Sequence, residues 1–164
     1  MNRSLLMLAM LGAATMPGLA QAQAMDHSQH DMAMATDDDA AQAQAVLVAY
    51  RTALENRDAA AMTALFADDS LVFENGKAEG SFANYMEHHL GPELAGIQSF
   101  TFSDPKITVT VHGDMALAHE SYGYRIALAD GRVVERTGVA TSVLVRRDGR
   151  WLIVRYHSSS RAPR

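Results

Sequence analysis

Residues 136–160, RTGVATSVLVRRDGRWLIVRYHSSS, read as two long strands joined at Arg147-Asp148-Gly149-Arg150. Asp-Gly between two runs rich in β-branched residues is a strong short-range hairpin signal. Val139, Thr141, Val143 and Val145 alternate with Ala140, Ser142 and Leu144, and Trp151 and Ile153 lead on to His157. A period of two in such residues describes a half-buried antiparallel ribbon. The single tryptophan and a polar His-Ser-Ser end lie on this ribbon, so the elements before it are expected to pack against it.

Upstream of the ribbon the pattern is first helical and then β. Asp37-Asp38-Asp39 supplies an N-cap and first-turn acids, favourable at the positive end of a helix dipole. Ala43, Val46, Leu47, Tyr50, Ala53 and Leu54 follow at i, i+3, i+4, i+7 spacing, an amphipathic helix ending near Asn56. Asp58 caps a short second helix whose buried side is Met62, Leu65 and Phe66. Leu71–Glu74 is a strand that stops at the Asn75-Gly76 turn. Ser81 caps a third helix, which Gly91-Pro92 is expected to terminate. On it Phe82, Tyr85, Met86, His89 and Leu90 share one face. Phe100, Phe102, Ile107, Val109 and Val111 mark a strand, and Met115–Leu128 is the next, closed by Ala129-Asp130-Gly131. Helices followed by an antiparallel meander make an α+β fold, with three helices laid on one face of a curved sheet and a cavity at its wide end.

The order of these elements carries a resemblance. Asp58–Met62 running to Leu65-Phe66-Ala67-Asp68-Asp69, then the Phe73-Glu74 strand, resembles the second helix and first strand of the nuclear transport factor 2-like (NTF2-like) superfamily. Asp148-Gly149-Arg150-Trp151, followed by Ile153 and His157-Ser158-Ser159, is similar to its SnoaL-like and DUF4440 branches. The resemblance covers about residues 38–160. It implies an NTF2-like cone, three N-terminal helices on a curved, mostly antiparallel sheet, often as a homodimer. That fold hosts isomerases, dehydratases, polyketide cyclases and members without a known reaction, so it implies a pocket and leaves the chemistry open. The Asp base with Tyr and Asp donors of ketosteroid isomerases has no residue-by-residue counterpart here. For the His/Asp arrangement of polyketide cyclases, His157 and Glu74 are loose counterparts. The implied pocket lining is Tyr50, Phe73, Glu74, Tyr85, His89 and Tyr122.

Composition bounds the partners. The chain has 164 residues, 48% of them hydrophobic, enough for one domain with one core. Arg3, the apolar run from Leu5 and Ala22-Gln23-Ala24 have the form of a secretory signal peptide. The expected organisation is a signal peptide at 1–24, a flexible His/Met-rich tail at 25–37, the domain at 38–160 and a short tail at 161–164. The expected compartment is therefore periplasmic or secreted. The formal charge is -5; without Arg3 it becomes -6. An acidic domain disfavours nucleic acid, which wants a basic footprint. No other apolar run is long enough for membrane insertion. With no cysteine there is no disulfide framework.

The tract MDHSQHDMAM, residues 25–34, has its own chemistry. With cleavage after Ala24, His27 is the third residue behind a free amine. Amine, two amide nitrogens and imidazole can then surround Cu(II) or Ni(II) in a plane. Met25, Met32 and Met34 add thioethers suited to Cu(I), and His30 suits either oxidation state. The tract resembles the His/Met-rich segments of bacterial copper-tolerance proteins, which makes copper the candidate cofactor. The competing expectation is a plain solvated tail.

Within the domain, His157 shares Trp151's parity near the end of the last strand, at the expected mouth of the cone. Imidazole near its unperturbed pKa is a good general base at neutral pH. Glu120, Tyr122 and Tyr124 share one strand parity. A carboxylate there suits acid–base work; the alternatives are that this face is solvated or that Glu120 pairs with Arg136 or Arg155. The candidate catalytic set is accordingly His157, Glu120 and Tyr124, with Tyr85 and His89 orienting a ligand. His89 is otherwise a hydrogen-bonded core residue, and consecutive helix positions make joint metal ligation with His88 awkward. Three functions follow: a pocket for a small, mostly apolar molecule with proton-transfer chemistry, a copper-handling protein, or a non-catalytic module dimerising through the outer sheet face.

Overall fold

A computed structural model describes residues 36–164. The segment expected to be a leader, and the tract holding Met25, His27, His30, Met32 and Met34, lie outside the described residues.

Helix α1 runs Asp37–Asn56, and its N-cap is Thr36, one residue ahead of the acidic triplet. The Thr36 hydroxyl accepts from Asp39 N while the Asp39 carboxylate accepts from Thr36 N, both at 3.2 Å, a closed capping box. The three acids instead fill the first turn, where the helix dipole favours them. Ala43, Leu47, Tyr50, Ala53 and Leu54 form its buried stripe. The helix stops at Arg57, in the left-handed region at φ 56°. Asp58 then caps α2, Ala59–Thr63, accepting from Ala61 N at 2.9 Å.

Strand β1, Phe66–Glu74, starts five residues before the expected Leu71. Asn75 and Gly76, at φ 47° and 86°, turn it into β2, Lys77–Gly80, a short strand without a sequence signal of its own. The third helix departs further from expectation, because Gly91-Pro92 does not end it. Ser81 caps α3, Phe82–Tyr85, which passes through a π-turn, Met86–Leu90, into α4, Gly91–Leu94. Proline inside a regular α-helix loses one N–H and clashes with the carbonyl four residues back. The wider π-turn relieves that clash, with Gly91 N donating to Met86 O five residues behind. A Cβ at Gly91 would collide with that same carbonyl, so the turn needs glycine.

β3, Ile97–His112, β4, Met115–Leu128, β5, Val133–Arg147, and β6, Arg150–Arg161, form the antiparallel meander. Asp148 and Gly149, both at positive φ (50° and 74°), make the β5–β6 hairpin turn that the Asp-Gly pair predicts. The six strands lie in the order β2-β1-β6-β5-β4-β3, and β1 joins β6 in parallel. Helices on one face of this curved sheet match the expected α+β cone. Its core is aromatic at the centre: Phe66 stacks on Phe82 at 3.8 Å, and Tyr50 meets Phe66 and Tyr156 edge-on at 5.2 and 5.3 Å.

Two irregularities decide what faces inward. In β3 a bulge around Asp104 (φ 47°) moves the inner set from Phe100 and Phe102 to Ile107, Val109 and Val111. In β6 the register slips at Val154: Ile153 pairs with Leu144 and Arg155 with Val143, leaving Val154 unpaired. One extra residue inverts the parity of everything after it. Trp151 and Ile153 are buried, then Val154 and Tyr156, while Arg155 and His157 are exposed.

Candidate functional site

The space under the helices is a cavity of about 140 Å³ between α1, α3–α4 and the inner face of the sheet. All five tyrosines of the chain line it: Tyr50 from α1, Tyr85 from α3, Tyr122 and Tyr124 from β4, and Tyr156 from β6. Phe100 and Phe102 extend the aromatic wall, with Phe100 stacked on Tyr124 at 5.5 Å. Glu74, Glu93, Asn75 and the Ser158–Ser160 end of β6 supply the polar rim. The strand irregularities build this wall, because β3 contributes Phe100 and Phe102 only on one side of its bulge. Gly138 is equally specific: the Tyr122 ring lies so close over it that a Cβ there would overlap the ring.

The chemistry concentrates at the end of β1. Tyr85 donates its hydroxyl proton to Glu74 Oε2 at 2.7 Å. His89 stands behind this pair. Its Nδ1 is 2.9 Å from Glu79 Oε1, and its Nε2 is 3.3 Å from Glu93 and 3.9 Å from Glu74. Glu79 is buried, bonded also to Lys77 Nζ at 2.8 Å, and that lysine first and His89 second hold its carboxyl below the usual range. At the opposite rim Tyr124 donates to Ser160 Oγ at 3.0 Å.

Burial governs the phenols. It drives Tyr50, Tyr85 and Tyr156 well above their ordinary pKa, and neighbouring phenols and carboxylates add to it. Tyr122 is pushed up to about 12 by burial, although the Tyr156 hydroxyl pulls the other way. At neutral pH these four side chains are donors and acceptors, never phenolates.

The candidate residues from the sequence separate into three groups. Tyr50, Glu74, Tyr85, Tyr122 and Tyr124 meet on the cavity wall. His89 and Glu120 sit just behind it. Glu120 faces inward, but its Oε1 accepts from Arg51 Nη1 at 2.6 Å, and neither Arg136 nor Arg155 takes that role. Burial raises its carboxyl pKa and Arg51 works against that rise.

His157 and Phe73 require correction. The Val154 bulge turns the His157 side chain to the outer face, where its ring meets Phe73 edge-on at 6.4 Å. Phe73, between inward Val72 and Glu74 on β1, is exposed on that same face. His157 therefore cannot act as a base inside the cone. His119, His112 and His88 are exposed as well. Among the described residues no group of three His, Asp or Glu is arranged to hold a metal ion. No described helix is long and apolar enough to cross a membrane.

Glu79, Glu93, Arg51, Tyr156 and Ser160 were not singled out by sequence patterning. Tyr156 and Ser160 became legible only with the β6 bulge, and Glu79 only with the unexpected strand β2. The one available signal was Pro92 in a helical stretch, since π-turns gather at functional sites.

The SnoaL-like domain family matches residues 43–163. No curated protein matches the chain. Among solved structures, a ketosteroid isomerase-like protein from Erwinia carotovora atroseptica superposes with a TM-score of 0.68 at 22% identity, over 78% of this chain and 100% of that one. A candidate dehydratase of the NTF2-like family from Streptomyces avermitilis gives 0.69 at 19%, again over 78% and 100%. A candidate ketosteroid isomerase from Shewanella frigidimarina gives 0.62 at 27%, over 72% and 94%.

Proposed function

The chain belongs to the SnoaL-like family of the NTF2-like superfamily, and from there we propose that it binds a small, mostly apolar molecule in the cone and moves a proton on it. The observation carrying this reading is the Tyr85–Glu74 contact of 2.7 Å on the wall of an aromatic cavity. A carboxylate beside a phenol kept neutral by burial supplies both halves of an enolisation. Glu74 takes the proton from carbon while a phenol hydroxyl hydrogen-bonds the oxygen on which charge develops. Tyr124 and Tyr122 offer such donors on the facing strand. His89 sets the position of Glu74 from behind. The isomerase and dehydratase names among the structural neighbours are in keeping with this class of chemistry.

Exchange of α-protons of small cyclic ketones into D₂O, followed by proton NMR, tests the proposal. The protein accelerates exchange, and Glu74→Gln removes about 10²-fold or more of that acceleration. Absence of acceleration across the panel overturns the proton-transfer role. Absence of any shift in the tyrosine ring resonances on adding the ketones or phenol overturns binding in the cavity.

The His/Met tract favours a second reading, export followed by copper capture through Met25, His27, His30, Met32 and Met34. Copper titration of protein beginning at Met25, against protein beginning at Asp37, decides it, and equal uptake removes the tail. The exposed Leu71, Phe73, Met115, Leu117 and Val139 on the outer sheet face support self-association as a homodimer.

A further inference from the structure

We infer that the cavity is built for a small organic cation, an ammonium or quaternary ammonium group carried on an apolar body. The inference rests on the cavity being the ligand site and adds the charge of the ligand. Three observations converge on it.

The wall is aromatic, with five phenols and two phenyl rings around about 140 Å³. A cation is attracted to the faces of such rings, and the attraction strengthens when water is excluded. Among the described residues, the ionisable side chains on that wall besides the phenols are the carboxylates Glu74 and Glu93, and no lysine, arginine or histidine lines it. The cations nearby are engaged elsewhere. Arg51 is spent on Glu120, Arg57 on the carbonyls of Ile97 and Gln98, and Lys77 on Glu79.

Charge counting at the rim gives the same sign. Glu74, Glu79 and Glu93 contribute three negative charges. Lys77 contributes one positive charge, and His89, counted fully protonated, one more. One negative charge is left over, at the open end where Glu74 and Glu93 face the cavity. A monovalent cation balances it, whereas an anion would meet uncompensated carboxylates and no donor cation. The carboxylates also act on the phenols, since Glu74 and Glu93 both help to raise Tyr85, as a negative potential in the cavity requires. A quaternary ammonium head would sit among Tyr85, Tyr124, Phe100 and Phe102, with Glu74 beside it and the serines at the end of β6 within reach of a hydroxyl.

An isosteric pair tests the charge alone. Choline and 3,3-dimethylbutan-1-ol have nearly the same shape and differ in the quaternary nitrogen. Titration calorimetry of the full protein, with tyrosine ring shifts as the locator, is expected to show choline binding about tenfold or more tighter than the alcohol. Glu74→Gln brings the choline-to-alcohol ratio toward one, whatever it does to the affinity for the alcohol. Equal affinities, or a preference for the alcohol, overturn the cation and leave the cavity as a binding site for neutral molecules. Silence from both probes also overturns the cation, and the ketone and phenol titrations then judge the cavity itself.

Discussion

Two carboxylates look into the cone from the same sheet, and they are treated in opposite ways. Glu120, deep on β4, has a side chain only 2% exposed and receives the Arg51 guanidinium at 2.6 Å. Glu74, at the end of β1, is 26% exposed and receives a neutral phenol at 2.7 Å. The first is a closed account of charge inside the fold. The second faces the cavity, with His89 no nearer than 3.9 Å. Buried ion pairs of the first kind hold packed elements in place, here α1 against β4. The proposed chemistry accordingly sits where compensation by arginine or lysine stops, at the β1–α3 rim, and the Arg51–Glu120 pair sits at the base.

Breaking the closed pair should give the largest effect. Arg51→Met leaves Glu120 buried and unpaired, and is expected to cost about 3–5 kcal/mol in urea unfolding. The loss shrinks as pH falls, because burial raises the Glu120 pKa, Arg51→Met removes the group that opposes the rise, and protonation then relieves the unpaired charge. Replacing both partners, Arg51→Met with Glu120→Leu, should recover most of it. An intact Tm for Arg51→Met would abolish the distinction between the two carboxylates.

Gly138→Ala is next in size. Its new Cβ drives into the Tyr122 ring, an overpacking of about 1–3 kcal/mol. Because that ring is cavity wall, the stability loss should come with weaker phenol binding measured by NMR titration. Loss of stability with unaltered binding would show that Tyr122 is core and nothing more.

The finest test concerns the support behind Glu74. Lys77 and His89 hold Glu79 below its ordinary pKa, so its contribution is present above the usual carboxylate range and is lost as pH falls through the folded value. Glu79→Gln should flatten the acid limb of the Tm–pH curve by a small amount and shift the His89 ring resonances. An unchanged acid limb would remove Glu79 from the rim network.

The difference between the faces of β6 explains how far patterning could reach. Trp151 and Ile153 follow the period of two, and their burial was legible from it. His157 follows the same period on paper but lies beyond the Val154 bulge, and one unpaired residue moved it outside. A bulge leaves no mark in the alternation of valines and arginines. Glu74, Tyr85, Tyr122 and Tyr124 were reachable because each sits on a regular segment between irregularities. Glu79 was not, since β2 has only four residues and no apolar period.

What the sequence determined by itself was the set of elements and their order. Asp-Gly at 148–149, the Asp58 cap, the α1 stripe and the β-branched runs are local signals, and local signals act through the backbone of a few neighbouring residues. Which side chains share the cavity was decided only in the folded chain. Strand pairing absorbed the extra residues at Asp104 and Val154, and the π-turn carried Pro92 through the helix. Arg51, 69 positions from Glu120, pairs with that carboxylate, whereas Glu74 receives the Tyr85 phenol. Those outcomes depend on contacts between distant segments, for which the free energy is settled by packing and desolvation together and no short window of residues can carry the signal.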